Sequence, residues 1–116
     1  MFFGKRAFGC RTISMKNAEV ELENDPSIQV IDVRTPDEYL RGHIPGCLNV
    51  PVDRIGEITK VVPDRDAKLF VYCLSGSRSA FACDAFVRLG YGNVTNIGGI
   101  AQWNGAIETT AGVRGS

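Results

Sequence analysis

Short apolar runs alternate with amphipathic segments along the chain. Residues 28–33 read Ile-Gln-Val-Ile-Asp-Val, and residues 69–72 read Leu-Phe-Val-Tyr. Both runs are too apolar for solvated edge strands and are typical of strands buried in a parallel sheet. Residues 47–52 and 93–97 are interpreted as two further short strands. We predict that these four segments are strands, and that the strand beginning at residue 69 ends at Cys73.

The segments between these runs have helical spacing and the residues that begin and end helices. In residues 15–23 the apolar positions share one face, Ser14 is suited to cap the start, and Asp25-Pro26 stops the helix. Pro36 opens a second helix that ends near Arg41.

Two further helices are predicted in the second half of the chain. The spacing of Ile55, Ile58 and Val62 indicates a small helix. A longer one begins at Ser77 or Arg78 and ends at Gly90. Its positions Ala82, Ala85, Phe86 and Leu89 are apolar, and its Asp84 and Arg88 have the i, i+4 spacing of an exposed ion pair.

The order of these elements sets the fold class. Strands that alternate with helices imply a parallel sheet covered on both faces by right-handed crossovers, so the class is α/β. The chain has 116 residues, which is about one domain. Open sheets of this kind bind ligands beyond the carboxyl ends of their strands, where Cys73 lies.

Composition narrows the class of partner. The chain has 13 Lys and Arg against 13 Asp and Glu, a formal net charge of zero, so it lacks the basic field that nucleic-acid binding normally requires. No apolar run approaches the roughly 20 residues that span a bilayer, and residues 1–10 do not read as a signal peptide. We therefore expect a cytoplasmic domain that binds neither nucleic acid nor membrane.

The cysteines exclude two common motifs. Cys10, Cys47, Cys73 and Cys83 are nowhere spaced as C-x-x-C, the spacing of zinc ribbons and thioredoxin-like redox sites. A domain with 44% hydrophobic residues does not need a disulfide framework to fold. We expect free thiols in a reducing compartment, where a cysteine can act as a nucleophile.

Residues 73–79, Cys-Leu-Ser-Gly-Ser-Arg-Ser, join the end of a buried strand to the start of a helix. The backbone N–H groups of such a loop point toward its centre, and the helix dipole adds positive potential there. Gly76 permits the tight bend, and Arg78 adds a permanent cation. Three residues add hydroxyl donors: Ser75, Ser77 and Ser79. The segment is therefore predicted to hold an anion.

The thiolate of Cys73 is the anion nearest to that loop. We expect the loop to lower the pKa of Cys73, so that a nucleophilic thiolate is present at neutral pH. The alternative is that Cys73 is an inert buried cysteine and Arg78 a surface residue. The strand-end position, a Gly-Ser loop without a carboxylate before Asp84, and the nearby arginine together favour the reactive thiol.

Five sequence blocks occur in order between about Thr12 and Trp103. They are Ile31-Asp32-Val33-Arg34 with Pro36, Glu38 and Tyr39; Gly42-His43-Ile44-Pro45-Gly46 leading to Leu48-Asn49-Val50-Pro51; Val71-Tyr72-Cys73 with its loop; Leu89-Gly90-Tyr91; and Gly98-Gly99 with Trp103. Together these blocks resemble a single-domain rhodanese, a member of the thiosulfate sulfurtransferase-like family.

The resemblance implies a rhodanese-like open parallel sheet of about five strands with helices on both faces. It places the domain at residues 12–108, a basic N-terminal arm at residues 1–11 and a C-terminal tail at residues 109–116. It also implies a sulfurtransferase without metal or organic cofactor. Cys73 would take sulfur from a small donor such as thiosulfate or a persulfide, hold it as a persulfide, and pass it to cyanide, a thiol or a protein acceptor. The substrate-binding residues would be Leu74, Ser75, Gly76, Ser77, Arg78 and Ser79, together with Arg34 and Asp32.

Two positions depart from the family pattern. Leu74 occupies a position that is often basic in the family, so a hydrophobic or protein-bound donor gains weight over thiosulfate. Cys47 stands where the family commonly has alanine, and we interpret both Cys47 and Cys83 as packing residues. A disulfide between Cys83 and Cys73 is not expected.

Two other functions stay open. A phosphatase or arsenate reductase would use a cysteine in a C-x5-R loop, whereas Cys73 and Arg78 form C-x4-R, a tighter ring that suits one sulfur atom better than a tetrahedral oxyanion. The other alternative is a rhodanese module without turnover, which relays sulfur to one protein acceptor or senses reactive sulfur species.

Asp32 and Arg34 follow the family pattern at the end of the first buried strand. Arg34 would attract anionic donors there, or else form an ion pair with Asp32 that holds loops. His43, the single histidine, is expected to bond backbone rather than act as a base. Trp103 is expected to pack over the sheet.

Overall fold

Five parallel strands form one sheet. They are β1 (Arg11–Thr12), β2 (Gln29–Asp32), β3 (Leu48–Asn49), β4 (Leu69–Cys73) and β5 (Val94–Gly99), and their spatial order is β1-β5-β4-β2-β3. The structure, a computed structural model, describes residues 10–109 and the backbone of residues 112–114. The predicted α/β class and five-stranded parallel sheet are confirmed.

Within residues 10–109, four α-helices connect the strands. They are α1 (Met15–Asn24), α2 (Pro36–Arg41), α3 (Ile58–Val61) and α4 (Ser77–Arg88). A 3-10 segment, Val52–Glu57, precedes α3, and a second one, Ile100–Gln102, follows β5. Each helix lies where the apolar spacing predicts one. None of the helices in the described part of the chain is long and apolar enough to cross a membrane.

The central strand β4 is buried along its whole length because apolar layers cover both faces of the sheet. Leu69, Val71 and Cys73 face one layer, which includes residues of α3 and α4. Phe70 and Tyr72 face the other layer, which includes residues of α1. Burial on both faces explains why this strand reads as a continuous apolar run rather than as an alternating one.

The first two of these helices begin with side-chain caps, of which the sequence analysis predicts the one at Ser14. The Ser14 hydroxyl accepts the Asn17 backbone N–H at 3.1 Å at the start of α1. At the start of α2, Thr35 and Glu38 form a reciprocal capping box. The start of α4 differs, because its N-cap is Gly76 at φ 109° and no side chain caps it.

The hydrophobic pattern does not predict three short strands. One is β1, which has only two residues. The others are β6 (Ile107–Thr109) and β7 (Gly112–Arg114), which form an antiparallel hairpin. An isolated bridge, with His43 and Glu108 exchanging backbone hydrogen bonds of 2.9 and 2.8 Å, ties β6 to the domain. The predicted arm and tail lie largely outside the described residues, and the domain boundaries stay predictions.

The strand order creates a crevice at the carboxyl end of the sheet. The chain leaves β2 toward β3 on one side, while β4 lies on the other side of β2. Ligands of open α/β sheets bind at such a reversal of strand order. Cys73 ends β4 and Asp32 ends β2, so the two strand ends that flank the crevice carry residues singled out by the sequence.

Candidate active site

Cys73 lies at the carboxyl end of β4 with only 1% of its surface exposed. Its Sγ accepts the backbone N–H of Gly76 at 2.9 Å and lies 3.5 Å from the Ser79 hydroxyl. The loop therefore folds back over the sulfur, as the Gly-Ser sequence predicts. All four cysteines are free thiols.

The surroundings of Cys73 favour the thiolate. Burial raises the pKa of the thiol, but hydrogen bonds from the Ser79 hydroxyl and from the backbone N–H groups of Ser79, Gly76 and Ser75 lower it by more. The net result is a pKa below the ordinary cysteine value. The Ser79 hydroxyl and the fixed backbone donors therefore stabilise the thiolate form of Cys73.

The start of α4 supplies these donors. Because no side chain caps this helix, its first N–H groups stay available, and the Cys73 sulfur takes the place that a capping oxygen would occupy. The positive end of the helix dipole adds to the same effect. The left-handed backbone of Gly76 turns the chain into this arrangement.

The end of β5 packs closely against the loop of residues 73–79. A Cβ atom at Gly99 would lie 2.8 Å from the Ser75 Cα and still closer to the Leu74 carbonyl oxygen. Only a glycine allows the loop to pack this closely on the strand. The Gly98-Gly99 pair in the sequence is thus part of the site's architecture.

Asn96 is a supporting residue that the sequence analysis missed. Its Oδ1 accepts the backbone N–H of Gly98 at 3.0 Å and the Ser79 hydroxyl at 2.8 Å. The Ser79 hydroxyl also lies 2.9 Å from the Gly76 carbonyl. The single proton of the Ser79 hydroxyl thus has three neighbouring acceptors, Asn96, Gly76 and the sulfur. The signal was an asparagine within a buried strand.

Arg78 is bound by a carboxylate rather than directed at the sulfur. Its two terminal nitrogens bond both oxygens of Glu38 at 2.8 and 3.0 Å. Hydrogen bonding to Arg78 is the main reason that the pKa of Glu38 falls from 4.5 to about 2. The pair joins α4 to α2 across the crevice, and the cation expected beside the thiolate is largely balanced by Glu38.

Asp32 and Arg34 form the ion pair that was one of their two expected roles. Arg34 is 5% exposed and Asp32 is fully buried. Arg34 donates to both Asp32 oxygens, with a shortest distance of 2.7 Å, and to the Gly42 carbonyl at 2.7 Å. The Tyr72 hydroxyl donates to Asp32 at 2.8 Å. These contacts hold the loops after β2, and a donor-binding role for Arg34 stays a prediction.

The other loop residues divide by exposure. Leu74 is 50% exposed at the mouth of the site. Ser75 and Ser77 are also exposed, and Ser75 acts on the sulfur through its backbone N–H rather than its hydroxyl. Ser79 is fully buried. The structure thus brings together the Cys73 thiol, the backbone donors and, of the three predicted hydroxyls, the one of Ser79.

His43, Cys47 and Trp103 contribute packing and backbone bonds. The His43 Nδ1 lies 2.7 Å from the Tyr39 carbonyl, and its ring stacks on Tyr39 at 3.8 Å. Cys47 is buried, and burial is the main reason that its pKa rises to about 12. Trp103 is half-buried against the α1 face and donates to the Ala106 carbonyl. The expected backbone bond of His43 is therefore present.

Comparison with known protein families identifies the domain type. The model of the rhodanese-like domain matches residues 16–106. A sulfurtransferase of Allochromatium vinosum is 36% identical over 93 residues, which cover 78% of this chain and 85% of that protein. The thiosulfate sulfurtransferase PspE of Escherichia coli is 38% identical over 71 residues, covering 60% of this chain and 68% of that protein.

Solved structures show the same fold. A structure described as rhodanese with anions from E. coli superimposes with a TM-score of 0.67 at 31% identity. The match covers 71% of this chain and 98% of that one.

Proposed function

Because this chain belongs to the rhodanese-like family, we propose that it is a sulfurtransferase in which Cys73 carries the sulfur as a persulfide. The observation that carries the proposal is the Gly76 N–H at 2.9 Å from the Cys73 sulfur, within a loop that lowers the pKa of the thiol. Such a loop stabilises negative charge on the first sulfur and on a second sulfur attached to it.

In the first step the Cys73 thiolate attacks the outer sulfur of the donor. With thiosulfate, a bond forms between the Cys73 sulfur and the outer sulfur, the sulfur–sulfur bond of the donor breaks, and sulfite leaves with the electron pair. With glutathione persulfide, glutathione thiolate leaves instead. Both routes give a persulfide on Cys73, and neither requires a redox cofactor.

In the second step an acceptor removes the outer sulfur. Cyanide attacks that sulfur, the persulfide bond breaks, and thiocyanate leaves while Cys73 returns to the thiolate. A thiol acceptor reacts in the same way and becomes a persulfide itself. The backbone donors need not move between the two steps, because they serve the same anion before and after.

The mouth of the site favours a donor other than thiosulfate. Leu74 is half exposed, and the guanidinium of Arg78 donates hydrogen bonds to both oxygens of Glu38. A dianion therefore gains little from this cation. A small persulfide or a protein-bound persulfide fits the site better, as the sequence already suggested at Leu74.

The same observations support a second candidate, a module that relays sulfur to a protein acceptor without turnover of small substrates. An exposed apolar side chain beside the thiol suits contact with another protein. A phosphatase is disfavoured, because Glu38 engages the arginine that would have to hold the oxyanion. Cytoplasmic location and the lack of nucleic-acid or membrane partners stay predictions.

The test is the intact mass of the protein after incubation with thiosulfate or glutathione persulfide. We expect one added sulfur on the wild type and on the matched control Cys47→Ala, and none on Cys73→Ser. Cyanide should then remove the sulfur and yield thiocyanate over many cycles.

Three results would change the proposal. Sulfur uptake on the same scale by Cys73→Ser would refute the assignment of the carrier. Uptake without repeated thiocyanate formation would support the relay module. Hydrolysis of p-nitrophenyl phosphate that is lost in Cys73→Ser would restore the phosphatase.

A further inference from the structure

A groove lies beside α1, on the face of the sheet opposite to α3 and α4. Its volume is about 480 Å³, within the range of about 300–1,000 Å³ that is typical of ligand sites. The larger apolar residues that line it belong to the layer that contains α1; they are Leu22, Ile28, Val30, Ile44 and Trp103. None of residues 73–79 borders the groove, so it is separate from the crevice that serves Cys73.

Part of the apolar lining is open to solvent. Leu22, Ile28 and Trp103 are only partly buried. Pro26 and Pro45, which also line the groove, are exposed. Apolar surface that is gathered in one concave place favours the binding of an apolar group from a partner.

The side of the groove formed by α1 is acidic. Glu19 and Glu23 line it, and neither carboxylate has an ion pair or a hydrogen bond to another described residue. The third acidic residue of the lining, Asp25, is paired with Lys68. Within residues 10–109, no lysine or arginine lines the groove. The groove therefore has an unbalanced negative charge on Glu19 and Glu23, which complements a cationic partner.

The spacing of the two glutamates restricts the shape of that partner. Glu19 and Glu23 are four residues apart on α1, so they share one side of the helix and lie about 6 Å apart along its axis. In an extended peptide, residues i and i+2 share a face and lie about 6.4–6.8 Å apart. Two cationic residues at this spacing can each face one glutamate, while the residue between them faces away from α1.

We propose that this groove docks an extended segment of a partner protein, in which one apolar residue lies between two lysines or arginines. The cations pair with Glu19 and Glu23, and the apolar side chain packs on Ile44 and Trp103. Such a segment supplies both charges at the right spacing together with an apolar group, which a single small cation does not. The docked segment leaves the loop of residues 73–79 uncovered, and the inference does not depend on sulfur transfer at Cys73.

The experiment uses a built-in reporter. Trp103 is the single tryptophan of the chain, and it lines the groove. The probe is the peptide Gly-Arg-Leu-Arg-Gly, acetylated and amidated so that its only charges are the two arginines. We expect its titration into the full chain to move the Trp103 emission to shorter wavelength in a saturable manner, because the leucine displaces water from the indole. Added salt should weaken the binding.

Two control peptides separate the contributions of charge and apolar contact. Gly-Gln-Leu-Gln-Gly lacks the cations, and Gly-Arg-Gly-Arg-Gly lacks the apolar side chain. Each should bind at least roughly fivefold more weakly than the probe, because each lacks one of the two kinds of contact.

Matched variants of α1 test the two glutamates. Glu23→Gln should weaken binding of the probe by up to about fivefold, the size expected for one exposed ion pair, and the double change Glu19→Gln with Glu23→Gln should weaken it further. Glu21→Gln is the control, because it removes the same charge from the same helix at a position outside the groove. Circular dichroism checks that all three variants are folded.

The outcome is independent of the proposed sulfurtransferase, because Cys73→Ser should bind the probe like the wild type. The proposal is overturned if the Trp103 emission does not respond to the probe, or if Glu21→Gln weakens binding as much as Glu23→Gln. Equally tight binding of arginine amide would assign the groove to a small cation and overturn it as well. A shift of the emission with protein concentration alone would assign the groove to a second copy of this chain instead.

Discussion

The ends of β2 and β4 lie side by side, with Asp32 opposite Tyr72 in register, yet they are built for different tasks. At the end of β2, a buried carboxylate and a buried guanidinium satisfy each other and the nearby carbonyl of Gly42. At the end of β4, backbone N–H groups converge on one sulfur. One strand end is a closed ion pair and the other is a stabilised nucleophile.

The difference shows what makes a charged group reactive. The ion pair of Asp32 and Arg34 is closed, because the charge of each partner is balanced by the other. The thiolate of Cys73 is stabilised by neutral hydrogen-bond donors rather than by an opposite charge. The polar groups at the end of β2 therefore contribute stability, whereas those at the end of β4 stabilise the thiolate of Cys73.

The largest expected effect is on stability, from Asp32→Asn. The change leaves the buried Arg34 cation without its partner, which typically costs about 3–5 kcal/mol, so urea denaturation should occur at a much lower midpoint. The matched control Asp66→Asn, at an exposed position, should leave the midpoint unchanged. An unchanged midpoint for Asp32→Asn would mean that the pair is not the closed structural unit described above.

The next effect is expected for Gly99→Ala, which disturbs the loop of residues 73–79 rather than the ion pair of Asp32 and Arg34. Its Cβ would collide with the backbone of Leu74 and Ser75, so the loop must move and overpacking should cost about 1–3 kcal/mol. Alkylation of Cys73 at pH 7 should slow as its pKa rises. Gly56→Ala, at a position with open space around it, is the control, and equal Cys73 reactivity in both variants would contradict the prediction.

A local effect on the reactivity of Cys73 is expected for Ser79→Ala. It removes the hydroxyl donor of the thiolate, and a hydrogen bond to a charged group is worth about 1.5–3 kcal/mol, so alkylation of Cys73 at pH 7 should fall at least roughly tenfold. The pH profile of alkylation should move upward. The exposed Ser77→Ala variant should behave like the wild type, and the same loss in Ser77→Ala would show that the hydroxyl of Ser79 has no special part.

The smallest effect is expected for Glu38→Gln, which keeps the cap of α2 and frees Arg78. Thiosulfate should then react a few-fold faster relative to glutathione persulfide, at a cost of about 1 kcal/mol in stability. Because the pKa of Glu38 falls to about 2, the ion pair stabilises the wild type fully above pH 4.5 and loses its effect as the pH falls toward 2. Unchanged donor preference would show that Arg78 does not influence donor choice.

The helices and strands could be predicted largely from local patterns. Ser14 and Thr35 mark helix starts because a cap is a contact within four residues. The ion pair of Asp84 and Arg88 on α4 is likewise a contact within one helix. The strand β1 was not predicted, because its two residues form a strand only by pairing with β5.

The partners of Arg78 and Ser79 could not be predicted in the same way. Glu38 is 40 residues from Arg78, and Asn96 is 17 residues from Ser79. Which of several acceptable partners a polar side chain meets depends on strand order and register, and a single sequence does not state these.

By itself the sequence determined the class of fold, the thiol and the loop that holds it, because these depend on residue periodicity and on a contiguous segment of residues 73–79. The tertiary structure alone decided that Arg78 is balanced by Glu38 and that Asn96 holds Ser79. Each of these contacts joins segments that only the packed sheet brings together. The physical reason is that backbone donors are local, whereas the charge and proton partners of a side chain are set by packing.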